Sequence, residues 1–260
     1  MKLPVYQINA FASGAFAGNP AIVCPLERWL DDATMQKIAA ENGLTCAFLV
    51  GKAGRYRLRW FAPAAEIEGI CGHGTLAAAF VAANALDDTS DTLAFEVAMG
   101  TLRAERRDDG FLLDLPSLPP KPVPHPADLE RLFGTRPVET AGALDFIAVF
   151  ETERDVAAFD PDLEALLDLP LRAAIVTAPG DEADFVSRWF CPRHGEGEDT
   201  GFTGSAHCSL VPYWAARLGR TELQAKQLSP RGTTLTCELR GDRVLLHCAA
   251  AKYMEGWIYL

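Results

Sequence analysis

An internal repeat constrains this 260-residue chain more than any other feature. Arg59-Trp60-Phe61-Ala62-Pro63 recurs as Arg188-Trp189-Phe190-Cys191-Pro192, an offset of 129 residues. A loop, a glycine-containing turn and an apolar stretch follow each copy. Cys71-Gly72-His73-Gly74 opens the stretch Thr75 to Leu86, and Thr203-Gly204-Ser205-Ala206 opens His207 to Leu218. Two motifs with the same element order behind them read as a duplication. Between the copies, Pro116, Pro119, Pro120, Pro122, Pro124 and Pro126 crowd into eleven residues. Neither a helix nor an internal strand tolerates that density, so the segment is a stiff connector. Two units are expected, residues 1–116 and 117–260.

Each half mixes strands and helices, which makes the fold class α/β (α+β). In the first half, strand character covers Pro4 to Phe11, Ala21 to Cys24, Ala47 to Val50 and Tyr56 to Phe61, then Thr92 to Val97, Thr101 to Glu105 and Phe111 to Leu115. Asp32 to Asn42 is a helix, with acidic residues at its start and Gly43 just past its end. In the second half, strands are expected at Phe146 to Phe150, Ala173 to Thr177 and Phe185 to Phe190. Further strands are expected at Thr234 to Leu239, Arg243 to His247 and Gly256 to Leu260, and short helices at Ala127 to Phe133 and Asp162 to Leu167. The helix opening at Thr75 has almost no polar face, so the strands of its own half should wrap it on all sides. Its counterpart from Ser205 carries Pro212, which should kink or shorten it.

Charge narrows the function. Lys and Arg number 24 against 35 Asp and Glu, a net charge of −11 that repels nucleic-acid phosphates and anionic lipid. No apolar run is long enough to span a membrane, and the opening residues read as a strand rather than a signal peptide, so the expected location is the cytoplasm. The seven cysteines form no C-x-x-C pair and have no zinc-like spacing with histidine; free thiols and no metal site are expected.

The chemistry is concentrated at the two turns. A helix start leaves backbone N–H groups unpaired, and the helix dipole adds partial positive charge, so each start favours an anion. Gly72, Gly74 and Gly204 let a ligand approach the backbone closely. Two such starts facing each other about a pseudo-two-fold axis would hold a small carboxylate and stabilise its enolate. That arrangement allows proton abstraction without metal or cofactor. His73 lies in the first turn, where it can reach a ligand or serve the helix. Asp199, just before the second turn, can shuttle protons or order its loop. Ser205 can cap its helix or bond a ligand. Cys71 is either a thiol acidified by the helix start or a buried small residue. Glu196 and Glu198 read as solvated loop charges.

These residues, taken together, resemble the PhzF-like phenazine-biosynthesis isomerases. The resemblance rests on Asn9-Ala10-Phe11 with Gly18-Asn19-Pro20-Ala21-Ile22-Val23-Cys24, on Arg59 to Pro63, on Cys71-Gly72-His73, and on Glu198-Asp199 leading to Thr203-Gly204-Ser205-Ala206-His207-Cys208. Pro212-Tyr213-Trp214 and Tyr253-Met254-Glu255-Gly256 extend it along the whole chain. It implies a diaminopimelate-epimerase-like fold of two similar lobes, each a barrel-like mixed sheet around a central helix, with the last strand able to return to the first lobe. It also implies a homodimer, no cofactor, and a small carboxylic acid as the partner. The family's histidine falls on His73, its aspartate on Asp199 and its serine on Ser205.

One departure matters. The family's general acid/base is a glutamate before the third strand, where this chain reads Asn42-Gly43-Leu44-Thr45-Cys46-Ala47-Phe48 without a carboxylate. Cys46, or failing it Thr45, takes that place. The expected catalytic set is therefore Cys46, His73 and Asp199, with Cys71, Gly72, Gly74, Thr203, Gly204 and Ser205 binding the substrate. Three readings follow: an isomerase with a thiol acid/base, one working through His73 and Asp199 alone, and a lapsed enzyme serving as a small-acid binding or scaffold protein.

Overall fold

The computed structural model describes residues 1–12, 14–124, 132–192 and 197–260. The chain divides into two compact units, one of residues 1–115 with 246–260 and the other of residues 116–245. The first contains β1 (Lys2–Ala10), β2 (Asn19–Leu26), α1 (Asp32–Asn42), β3 (Cys46–Lys52) and β4 (Arg55–Phe61), followed by α2 (Gly72–Asn84). It continues with β5 (Thr92–Val97), β6 (Gly100–Arg107) and β7 (Gly110–Pro116), and ends with β16 (Ala250–Tyr259). The second contains β8 (Lys121–Pro122), β9 (Glu139–Gly142), β10 (Phe146–Val149), the short α3 (Glu153–Ala157) and a 3-10 turn at Ala165–Asp168. Then come β11 (Ala174–Pro179), β12 (Phe185–Phe190), α4 (Gly204–Leu218), β13 (Glu222–Gln227) and β14 (Thr234–Arg240). β15 (Arg243–Cys248) carries the chain from the second unit into the first.

The duplication is visible in the strand pairing. In the first unit β1/β2 is antiparallel, β2/β3 parallel, β3/β4 antiparallel, β4/β5 parallel and β5/β6 antiparallel. In the second, β9 to β14 repeat that alternation pair by pair. The crossover joining β4 to β5 holds α2, and the one joining β12 to β13 holds α4. Register makes the equivalence residue-specific. Ile22 pairs with Cys46 and Cys46 with Phe61, as Phe146 pairs with Ala174 and Ala174 with Phe190. Thr45 thus corresponds to Ala173, Leu44 to Arg172, Ala21 to Asp145 and Trp60 to Trp189.

Within the first unit the sheet has two packed faces. α2 lies against β1, β2, β3, β6 and β16, and nearly all of its side chains from Leu76 to Ala82 are buried. Contact with strands at both ends of the row is what a helix without a polar face requires. The other face carries α1, whose Met35, Ile38 and Ala39 pack with Leu3, Val5, Ile22, Cys24, Cys46, Phe48 and Phe61. Asp31 caps α1 by accepting from the Thr34 N–H at 2.9 Å, and Gly43 ends it with a left-handed φ of 63°.

The repeated arginine has a structural duty in both units. Arg59 forms a bidentate pair with Glu66 (2.7 and 2.7 Å), and Arg188 forms one with Glu198 (2.6 and 2.9 Å). Each pair holds the loop leaving its strand, so Glu198 is an ion-pair partner and not a solvated charge; Glu196 lies outside the described residues. Pro212 does not end α4, which continues through it to Leu218. The Cys208 carbonyl, four residues earlier and denied its helical N–H, accepts instead from Leu118 of the connector at 2.8 Å.

Several elements differ from expectation. Residues 246–260, whose last strand the resemblance lets return to the first lobe, pack with 1–115, because β16 pairs along all of β1. β16 also begins at Ala250, well before Gly256. The strands β8, β9 and β13 and the helix α3 had no clear periodic signal, and the helix expected at Asp162 to Leu167 is a 3-10 turn. The connector contributes β8, two residues at the margin of the sheet, where proline is tolerated. The expected helix at Ala127 to Phe133 lies, up to Arg131, outside the described residues.

Candidate active site

The first turn is built by β4 and α2. Trp60, on the α2 face of β4, packs against the first helical turn; a Cβ on Gly74 would fall 2.7 Å from Trp60 Cδ1, 2.9 Å from Cys71 Sγ and 3.0 Å from Trp60 Nε1. Gly74 is thus a packing glycine, set by the indole lying over the helix start. Gly74→Ala should destabilise the protein by about 1–3 kcal/mol through overpacking, measured by urea unfolding; wild-type stability would mean that the indole has room to move. Cys71 is the N-cap residue of α2, with no side-chain capping hydrogen bond. Its sulfur lies 3.7 Å from His73 Nδ1 and 3.9 Å from Nε2. Cys71 is buried and His73 half-buried.

Cys46 is not brought to this turn. Its side chain is fully buried in the α1 cluster, where loss of hydration pushes the thiol up to about 12. Cys46, Phe48 and Val50 share that face, so the alternation of the strand puts Thr45, Ala47 and Leu49 on the α2 side.

The second turn is held by side chains that bond one another. Asp199 accepts from the Thr203 hydroxyl at 2.6 Å and from the Gly201 N–H at 3.1 Å. Gln227 accepts from the Thr203 N–H at 2.7 Å and donates to its hydroxyl at 3.1 Å. Asp199 therefore orders the loop before α4, and the Thr203 hydroxyl is engaged within it. Like α2, α4 has no side-chain cap.

Ser205 sits in a cluster that carries no sequence motif. Arg172 donates to its Oγ at 3.3 Å and forms a bidentate pair with Asp145 (2.8 and 2.8 Å). Trp189 Nε1 donates to Asp145 Oδ2 at 3.1 Å, and the guanidinium lies over the Trp189 ring. Asp145 is 3% exposed and Arg172 25%. A donated N–H on Ser205 Oγ leaves the hydroxyl's own proton free to be given to an acceptor. The repeat itself held the missed signal: a charged residue stands just before β10 and another two residues before β11, where the first half has Ala21 and Leu44. Among the described residues, no group of three or more His, Cys, Asp or Glu is placed to hold a metal ion. No described helix is long and apolar enough to cross a membrane.

A duplicated mixed α/β fold with an uncapped, glycine-bearing helix start in each half defines the two-lobed architecture of the diaminopimelate-epimerase-like isomerases. Known proteins agree. Residues 8–256 match the family model described as phenazine biosynthesis-like protein. A protein named as an uncharacterized isomerase of Pseudomonas aeruginosa is 46% identical over the full length of both chains. The human phenazine biosynthesis-like domain-containing protein is 35% identical, over 98% of this chain and 99% of its own. The crystal structure of a PhzF-family phenazine biosynthesis protein from Enterococcus faecalis superposes with a TM-score of 0.92 at 43% identity, covering all of both chains. The chain belongs to the phenazine biosynthesis-like (PhzF) family, and it is an isomerase of that family.

Proposed function

We propose that the protein moves a proton within a small carboxylic acid, without a cofactor, using the Cys71–His73 pair at the start of α2 as acid and base. The observation that carries this reading is the 3.7 Å contact of Cys71 Sγ with His73 Nδ1 at an uncapped helix start. A helix N-terminus favours thiolate over thiol, and an adjacent imidazole accepts the proton. The thiolate takes a proton from the carbon next to the carboxylate, and the anion that forms is held by backbone N–H groups. His73 returns a proton to the new position. In this reading Cys46, buried beneath α1, takes no part in proton transfer, and Asp199 acts by ordering its loop. Ser205, set by Arg172, recognises an anionic group at the start of α4. The acid itself and a homodimeric state belong to the same proposal, on family grounds.

Proton NMR in deuterated water tests it, with a panel of small amino, hydroxy and cyclic unsaturated acids. The protein should exchange one carbon-bound proton of its substrate. Cys71→Ser should lose about a hundredfold or more in that rate, while Cys46→Ser keeps it. Equal rates in the wild type and Cys71→Ser would sink the assignment, and loss in Cys46→Ser would return the role to that thiol.

A further inference from the structure

We infer that the indole N–H of Trp60 is the donor that holds the Cys71 sulfur as a thiolate, which makes Trp60 a positioning residue of the acid/base pair. The inference rests on the reading of Cys71 given above. Trp60 is 2% exposed, and its Nε1 has no hydrogen-bond partner among the described residues. A buried N–H left unpaired costs about 1–3 kcal/mol, so a molecule that retains one has a use for it or satisfies it in another state. Cys71 Sγ and Trp60 Nε1 both crowd the point where a Cβ on Gly74 would lie. The two atoms are therefore neighbours at the helix start, without a hydrogen bond between them while the sulfur is a neutral thiol.

The second repeat shows what such an indole pairs with. Trp189, the counterpart of Trp60, gives its N–H to the carboxylate of Asp145. The residue equivalent to Asp145 in the first repeat is Ala21, which offers no acceptor. One tryptophan is thus satisfied by a permanent anion, and the other lies beside a group that becomes an anion on losing a proton. A neutral thiol is a weak acceptor, whereas hydrogen bonds to charged groups are roughly twice as strong. The N–H is well satisfied only when the sulfur is ionised, which shifts the equilibrium towards thiolate. The proton leaving Sγ passes to the His73 ring, so thiol and imidazole become thiolate and imidazolium with charge conserved.

His73 is a titratable side chain that the structure sets against the sulfur. On the elements around it, Arg59 is engaged by Asp32 and Glu66, Lys252 by Glu255, and Glu105 by Arg107. Arg106 is spent on backbone carbonyls, and Cys24 and Cys46 lie in the α1 cluster.

The test follows thiolate ultraviolet absorbance against pH for the wild type, Cys71→Ser and Trp60→Phe. Subtracting the Cys71→Ser curve isolates the ionisation of Cys71. Trp60→Phe should move that midpoint up by about one pH unit or more, the worth of one charge-assisted hydrogen bond. An unmoved midpoint overturns the inference. Because Trp60→Phe can lose its fold, the wild type is also followed through its indole ¹⁵N–¹H resonances. The Trp60 resonance should shift in step with the thiol and hold still in Cys71→Ser; a resonance indifferent to Cys71 ionisation also overturns it. Neither readout needs turnover. Absent proton exchange with a shifted titration would remove the proposed reaction and leave the Trp60–Cys71 pairing standing.

Discussion

Asp145→Ala should cost about 3 kcal/mol of folding stability, the low end for a broken buried pair because the Arg172 side chain is 25% exposed. The carboxylate is the shared acceptor of two donors, Arg172 and Trp189. Removing it strands a partly buried cation and leaves an indole N–H unpaired in the same space. The first unit already contains the apolar solution to the same backbone geometry, Ala21 with Leu44. The double variant Asp145→Ala with Arg172→Leu should therefore recover part of the loss and lie about 1–2 kcal/mol below the wild type, because an apolar replacement of a buried ion pair is often neutral while the Trp189 N–H stays unpaired. Urea unfolding of the two single variants and the double one makes a mutant cycle. A double variant as unstable as Asp145→Ala would show that Arg172 is not the charge being compensated. Such a cycle also separates stability from recognition. The double variant should fold and yet lose the orientation of the Ser205 hydroxyl.

Much of this architecture was legible in the sequence because a duplication prints its motif twice. The five-residue repeat located β4 and β12, and the glycine turns located α2 and α4, since apolar helices with no polar face announce themselves. What stayed hidden was set by register rather than by composition. Cys46 and Thr45 are neighbours in sequence, but strand alternation sends the Cys46 side chain under α1 and puts Thr45 on the α2 face; without the register of β3, nothing chooses between them. Asp145 and Arg172 lie 27 residues apart and meet through the parallel pairing of β10 with β11. Asp199 read as chemical because it precedes the turn, and its carboxylate also accepts two hydrogen bonds that build that turn. Likewise β13 lacked a signal because its alternation, Glu222-Leu223-Gln224-Ala225-Lys226-Gln227, is diluted by a buried glutamine. That glutamine is buried to satisfy Thr203.

Acidification should unfold the protein in a way that His207 controls. The side chain is fully buried and stacked on Phe202 with ring centroids 4.0 Å apart. Its Nδ1 lies 2.8 Å from the Thr203 carbonyl. A carbonyl can only accept, so Nδ1 carries the proton and Nε2 is a bare lone pair with no partner among the described residues. Protonating Nε2 would place an unpaired charge in the core, and burial pushes the imidazole from 6.5 down to about 4. The unfolded chain then binds the additional proton below about pH 6.5 while the folded one does not, so stability falls as pH drops through that window. Between pH 7.5 and pH 4 the loss from this one group should be about 3 kcal/mol. Carboxylates titrate over the same range, so the comparison that isolates the histidine is His207→Asn. Its side-chain amide can still donate towards Thr203, and it cannot take up a proton. Urea unfolding at both pH values should show a smaller acid loss in the variant by about that amount. An equal loss in both proteins would mean that His207 already finds a partner for its second nitrogen in solution.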